Sequence, residues 1–427
     1  MMSWWFKIKL WQRVLVGLVL GIVLGLVLSN VMGQEAAASW INSYLRPLGL
    51  MFIRLIRMLI VPLIFTTLVA GVMSMGDPKK LGSLGVKTLL LYFGTTFIAN
   101  IIGLSVGTVL RPGEGVSFAG VEPAAAAAAS EPEPIIDRLL AVIPENPVAA
   151  LADGDVLAII FFSLFLGVAI LATGKAGRPV GDLFNSASEV VLKITHWVME
   201  LAPFGVFGLV AYTTASQGVE TLMAILGLVV AVYIGLFIHA LVTYGFLVRV
   251  VLNLPLIRFF RGLTDPIAVA YSTASSSATL PVTIAAASDN LGLKKSVAGS
   301  VLPLGATINM DGTALYLGIL ALFTAQAFGY DLTLTHYFLI AVTAAAASIG
   351  AAGIPSASLF LLATVLNTFG VSAEHLALIL GLIYPVDRIM DMARTAVNVT
   401  GDAAVATAVA KWEGELDEET FKKPAVV

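Results

Sequence analysis

The chain has 427 residues, of which 58% are hydrophobic and 12% charged, with a formal net charge of −3 and no cysteine. A soluble domain carries about 25% charged residues, so this composition describes a polytopic membrane protein. It also excludes disulfides, thiol catalysis and thiolate metal sites. The four histidines, His196, His239, His336 and His375, show no paired spacing, which argues against a structural metal. No nucleic-acid partner is expected.

At the N-terminus, Lys7, Lys9 and Arg13 lie among Trp4, Trp5 and Trp11. This reads as a cytoplasmic anchor with an aromatic belt, because the apolar run that follows is too long for a cleaved signal. Apolar runs of about 20 residues, each able to cross about 30 Å of hydrocarbon, predict eight crossings near 10–29, 48–75, 88–110, 154–173, 185–215, 222–248, 297–327 and 375–410. In the second run, Arg54 and Arg57 sit where their stems can snorkel. Asp77 and Asp265, each next to a proline, read as turn chemistry. Segment 111–153, with Glu122, Pro123, an alanine run and then Glu131-Pro132-Glu133-Pro134, reads as a flexible external linker.

Two further apolar stretches, 263–292 and 337–368, are each bounded by loops on the same side of the membrane and therefore predict re-entrant hairpins. Their midpoints, Ser275-Ser276-Ser277-Ala278-Thr279-Leu280-Pro281 and Ser348-Ile349-Gly350-Ala351-Ala352-Gly353-Ile354-Pro355, are poor helix interiors and good turns. Lipid tolerates irregular backbone only where it is buried in protein or lines a cavity, so the two tips should meet inside the protein. Opposite entry sides make an inverted repeat, a design that places substrate and coupling ions near the midplane. Basic clusters at 79–87, 175–178, 249–261, 294–295 and 411–423 put both termini in the cytoplasm.

Within the seventh run, Asn309-Met310-Asp311-Gly312-Thr313 interrupts the helix. Freed carbonyls, an amide, a carboxylate and a methionine sulfur there suit a small dehydrated cation; the alternative is a helix-packing network of hydrogen bonds. In the eighth run, Asp387, Asp391, Arg394, Asn398 and Asp402 follow spacings of four, three, four and four. At about 100° per residue they share one stripe. Each ionised group in lipid costs about 2.5–3.5 kcal/mol, so the stripe must face protein, ions or a charged substrate. The alternative is a structural ion-pair ladder in which Asp391 and Arg394 neutralise each other.

Together, the serine-rich tip, the Asn-Met-Asp-Gly-Thr break, the Ser-Ile-Gly-Ala-Ala-Gly-Ile-Pro tip and the Asp-Met-Ala-Arg-Thr-Ala-Val-Asn-Val-Thr-Gly-Asp stretch resemble the glutamate transporter family, the dicarboxylate/amino acid:cation symporters. The resemblance spans essentially the whole chain and points to its prokaryotic glutamate/aspartate:sodium members. It implies an all-α fold of eight transmembrane helices and two re-entrant helical hairpins, assembled as a homotrimer in the cell (inner) membrane. A scaffold (1–75 and 154–221) would hold a moving transport domain (76–110 and 222–427), with 111–153 as the external linker.

By the same resemblance, Arg394 would hold the substrate's side-chain carboxylate and Asp391 its amino group, with Thr313, Thr395, Asn398, Ser276, Gly353 and Ile354 completing the pocket. Three Na+ sites are implied, with H+ as the alternative coupling ion. The first uses Asn398, Asp402, Gly305 and Asn309; the second uses Thr307, Met310, Ser348, Ile349 and Ala351; the third uses Tyr92, Thr95, Thr96, Asn309 and Asp311. Asp391 favours an amino acid over a C4-dicarboxylate, which has no ammonium to pair with it. Arg394 favours an acidic side chain, so aspartate or glutamate is expected. Relatives place a further arginine where this chain has Ala274 or Met392; here the extra arginine is Arg388.

Proton-coupled or C4-dicarboxylate symport is the nearest alternative. A ligand-gated channel would want a continuous polar path instead of polar groups concentrated at mid-depth. An intramembrane aspartyl protease, prompted by Tyr330-Asp331, lacks a partner Gly-X-Gly-Asp motif, so no enzyme is expected.

Overall fold

The computed structural model describes residues 8, 10–74, 78–116, 140, 142–349 and 357–423. Among these the chain is helical, with one isolated antiparallel bridge pairing Leu293 and Leu416. Helices satisfy their own backbone in lipid, and among the described residues five stretches are long and apolar enough to cross a bilayer: Gln12–Met32, Leu84–Leu110, Ala158–Ala176, Ile225–Val251 and Lys295–Phe328. A sixth is the pair Arg178–Met199 and Ala202–Ser216, if their 47° bend is taken within one span.

The first helices are α1 (Leu10–Met32), α2 (Gln34–Tyr44), α3 (Arg46–Ser74) and α4 (Pro78–Leu110). Then come α5 (Pro147–Asp153), α6 (Val156–Thr173), α7 (Arg178–Met199) and α8 (Ala202–His239), the last broken at Gly218, where φ is 75°. Helix α1 packs along the first half of α8 through Gly17, Gly21 and Gly25. A Cβ on Gly21 would lie 2.8 Å from the Phe207 carbonyl oxygen, and one on Gly25 would lie 2.8 Å from that of Ala211. Small residues at a spacing of four let two membrane helices approach backbone to backbone. Helix α3 packs against α6, α7 and α8, whereas α4 lies mainly against later helices.

Beyond α8 the backbone becomes π-helical over Ala240–Tyr244 and Leu247–Val251, followed by α9 (Leu256–Gly262). The first expected hairpin is α10 (Thr264–Thr273) and α11 (Ser276–Asp289). They are separated by Ala274, left-handed at φ 52°, and by Ser275, whose hydroxyl caps α11 by accepting from the Ala278 N–H. The interrupted helix is α12 (Lys295–Ile308) and α13 (Asp311–Phe328), with Asn309 and Met310 non-helical between them. The most apolar part of this stretch is 94% buried, against 22% for that of α1, which puts the interrupted helix towards the centre and α1 at the rim.

In the second expected hairpin, α14 (Leu334–Ile349) packs on α15 (Ala357–Asn367). Its tip, including Ala351, Gly353 and Ile354, lies outside the described residues. Helix α16 (Ala373–Trp412) runs 40 residues, about 60 Å at 1.5 Å per residue, and packs against α8 and α10 to α13.

The structure differs from the sequence reading in the linker, of which 117–139 lie outside the described residues. Its end folds as α5, because the Asn146 side chain accepts from the Val148 and Ala149 N–H groups and Pro147 starts the helix. The short helix α17 (Glu418–Lys422) closes the chain. Lys87 pairs with Glu413, Lys294 with Glu415 and Lys411 with Glu418, gathering several of the expected cytoplasmic loops at one end of the molecule. The hydrogen bond from Lys411, with further help from Lys422, holds the Glu418 carboxyl below its ordinary range.

Candidate functional site

Period 3.6 puts the α16 stripe on one face, and that face is buried: Asp387, Asp391, Arg394, Asn398 and Asp402 are all less than a tenth exposed. Arg394 Nη2 donates to Asp391 Oδ1 at 2.7 Å and to Asp387 Oδ1 at 3.1 Å. Its guanidinium carbon sits 3.8 Å from the centre of the Tyr316 ring, and the Tyr316 hydroxyl donates to Asp387 Oδ1 at 2.8 Å. The ladder that the sequence offered as an alternative is thus formed, and it includes Asp387 as well as Asp391. It does not use up the guanidinium. Among the described residues, Arg394 Nε and Nη1 and Asp387 Oδ2 have no hydrogen-bond partner. A buried planar fork with unused donors is suited to a carboxylate.

Around this station, Arg388 Nη2 donates to the Thr273 carbonyl at 3.0 Å, tying α16 to the tip of the first hairpin, and Nη1 lies 3.9 Å from Asp391 Oδ2. Ser276 begins α11 and is buried. Thr395 donates to the Asp391 carbonyl at 2.8 Å. Asn398 bridges to the helix break, accepting from the Gly312 N–H at 2.7 Å and donating to the Met310 sulfur at 3.2 Å; Thr313 is buried beside it in sequence. Gly353 and Ile354 lie outside the described residues.

A second station surrounds the break. Asp311 Oδ1 accepts from Thr96 at 2.6 Å and Thr95 at 3.3 Å, while Oδ2 accepts from Tyr244 at 2.7 Å and contacts His239 Nε2 at 3.2 Å. Thr95 also reaches Asn309 Oδ1 at 3.4 Å, and Asn309 donates to Asp402 Oδ1 at 2.9 Å. Tyr92 donates to the Val301 carbonyl at 3.0 Å. At Gly305, a Cβ would stand 2.5 Å from both Asp402 Oδ1 and the Tyr92 oxygen, so any other residue forces those two side chains to move.

The residues expected for the third cation site therefore converge, as do Asp402, Asn309 and Gly305 of the first; Asn398 faces Gly312 and Met310 instead. Of the second set, Thr307 donates to the Leu304 carbonyl and Ser348 to that of Ala345. Ser348 and Ile349 end α14, which packs on α12, while Ala351 lies outside the described residues.

Among the described residues, Asp311 and Asp402 pair with no Lys or Arg, and no group of three His, Cys, Asp or Glu could hold a metal. The donors are hydroxyls, amides and single carboxylates, a hard oxygen set that fits a small s-block cation better than a transition metal. Sequence reasoning missed Tyr316, His239 and Tyr244. The available signal was an ionisable histidine inside an apolar span.

Apolar helices wrapped around buried, half-satisfied ionic stations and broken helices define a multi-pass membrane transporter. The chain belongs to the sodium:dicarboxylate symporter family, which it matches over residues 10–412, a family of transporters and not of enzymes. It is 36% identical over 389 residues to the proton/sodium-glutamate symport protein of Geobacillus stearothermophilus, covering 90% of this chain and 91% of the relative. Against the proton/glutamate-aspartate symporter of Escherichia coli (strain K12), identity is 37% over 388 residues, or 89% and 87% of the two chains. A C4-dicarboxylate transport protein of Rhodospirillum rubrum is 35% identical over 388 residues, or 89% and 85%.

Proposed function

We propose that this protein is a secondary active symporter that takes up aspartate or glutamate with sodium. Arg394 carries the reading: it is buried, has unused Nε and Nη1 donors, and lies beside Asp391 on the same helix face. The guanidinium receives the side-chain carboxylate and Asp391 the ammonium. Thr313, Thr395, Asn398 and Ser276 supply polar contacts, and the tip containing Gly353 and Ile354 closes over the substrate. Sodium is received at the Asp311 and Asp402 station, where the carboxylates have no Lys or Arg partner among the described residues, and at Thr307, Met310 and the end of α14.

Movement is an elevator within a homotrimer in the cell membrane, with eight spans, two hairpins and both termini cytoplasmic. Residues 1–75 and 154–221 form the scaffold, and 76–110 and 222–427 carry the cargo. The packing of α3 on α6, α7 and α8, and of α4 on α13 and α14, supports this division.

Proton coupling is the second reading, favoured by relatives whose names include protons. Purified protein in liposomes loaded with choline should accumulate radiolabelled aspartate against its gradient when sodium is outside. Equilibration without accumulation means a channel. Accumulation driven by a proton gradient without sodium replaces the coupling ion, and uptake of succinate in preference to aspartate overturns the substrate.

A further inference from the structure

His239 and Tyr244 are five residues apart, which on an α-helix separates them by about 140° around the axis. The chain turns π-helical over Ala240–Tyr244. There the hydrogen bond runs from i to i+5, so a residue five further on returns to the same face one turn along. Both side chains consequently reach one atom, Asp311 Oδ2: the Tyr244 hydroxyl at 2.7 Å and His239 Nε2 at 3.2 Å. A carboxylate oxygen can only accept, so the hydrogen facing Asp311 is on His239 Nε2, and Nδ1 is 3.0 Å from the Thr243 hydroxyl, which can donate to it. The two rings meet edge to face at 4.8 Å, and all three side chains are buried. Gly401 makes room for the arrangement, since a Cβ there would collide with the Tyr244 hydroxyl oxygen.

We propose that His239 and Tyr244 are positioning residues that set the cation selectivity of the Asp311 site. By occupying Oδ2 they hold the carboxylate in one rotation, so that only Oδ1 joins the oxygens of Thr95, Thr96 and Asn309 around the cation. Ligand number and rigidity decide which hard cation a site prefers, and a carboxylate fixed as a one-oxygen ligand keeps the cage small. Released from the clamp, it rotates, offers both oxygens and admits a larger ion. This inference rests on the cation-site reading proposed above.

Substrate-free purified protein is heated in NaCl or KCl, with choline chloride holding ionic strength constant, and the midpoint of salt-dependent thermal stabilisation is read. The wild type is stabilised by sodium and much less by potassium. Tyr244→Phe and His239→Leu each raise the sodium midpoint about tenfold, the scale of one hydrogen bond to a charged group, and narrow the sodium-to-potassium ratio. His239→Gln, which keeps an N–H donor, loses less than His239→Leu. Thr243→Val acts through a residue that does not touch Asp311 and shifts the ratio in the same direction, which keeps the test open if a ring variant fails to fold.

Variants that fold less stably but keep the wild-type sodium midpoint and ratio overturn the proposal. A wild type indifferent to sodium overturns the cation site itself, and the clamp with it.

Discussion

Two buried polar stations lie near each other in this protein and differ in their charge. At one, Asp387 and Asp391 are matched by Arg394 and the nearby Arg388. At the other, Asp311 and Asp402 are linked through Asn309 and Thr95 with no Lys or Arg partner among the described residues. A balanced cluster with spare donors can receive a ligand bearing both signs without acquiring much net charge. An unbalanced pair of carboxylates in a low-dielectric interior favours neutralisation, by a bound cation or by protons. Under the proposed reading, this difference separates substrate from coupling ion, and Asn398 joins the two stations by touching both Gly312 and Met310.

The largest effect is expected at Arg394. Arg394→Ala leaves two aspartates without their main partner, and such a loss costs about 3–5 kcal/mol, so thermal unfolding should show a large drop and calorimetry no aspartate binding. Arg394→Lys keeps the charge and loses the fork. It should fold while binding aspartate about 10- to 100-fold more weakly, and unchanged affinity would remove the specificity argument.

At the other station the sign reverses. Asp402→Asn removes one uncompensated carboxylate, so the sodium-free protein should melt higher than wild type even as sodium affinity falls. Through linkage, aspartate affinity at fixed sodium should fall by a factor of about 5–150; an unaltered sodium dependence would reject the assignment. Smallest in effect is Gly305→Ala, whose added methyl meets Asp402 Oδ1 and the Tyr92 oxygen at 2.5 Å. Over-packing of that kind costs about 1–2 kcal/mol, and sodium titration should show weaker binding, with less change in aspartate affinity once sodium saturates.

The polar stripe on α16 was legible because lipid forbids scattered charge and the helix period then leaves one face for it. Breaks at Asn309-Met310 and at the serine-rich tip were legible because clustered polar residues with glycine or proline make poor helix interiors at that depth. That Arg394 reaches Asp387 as well as Asp391 was not, since the period sets the shared face but not the rotamer, and Tyr316, which stacks on the guanidinium and donates to Asp387, comes from a different helix. The α5 helix escaped notice inside a stretch of linker composition, although Asn146-Pro147 is a cap signal.

The membrane class, the places where helices break and the residue types gathered on each face follow from composition and periodicity, because solvent and helical geometry act on neighbours along the chain. The folded chain adds that two Arg394 nitrogens have no partner among the described residues, that Asp311 is held from both sides, and that a π-helical turn brings His239 and Tyr244 to one oxygen. Those facts depend on side-chain rotamers, on one local change of helix type and on contacts of about 3 Å to Asp311 from other helices, which the helical period does not encode.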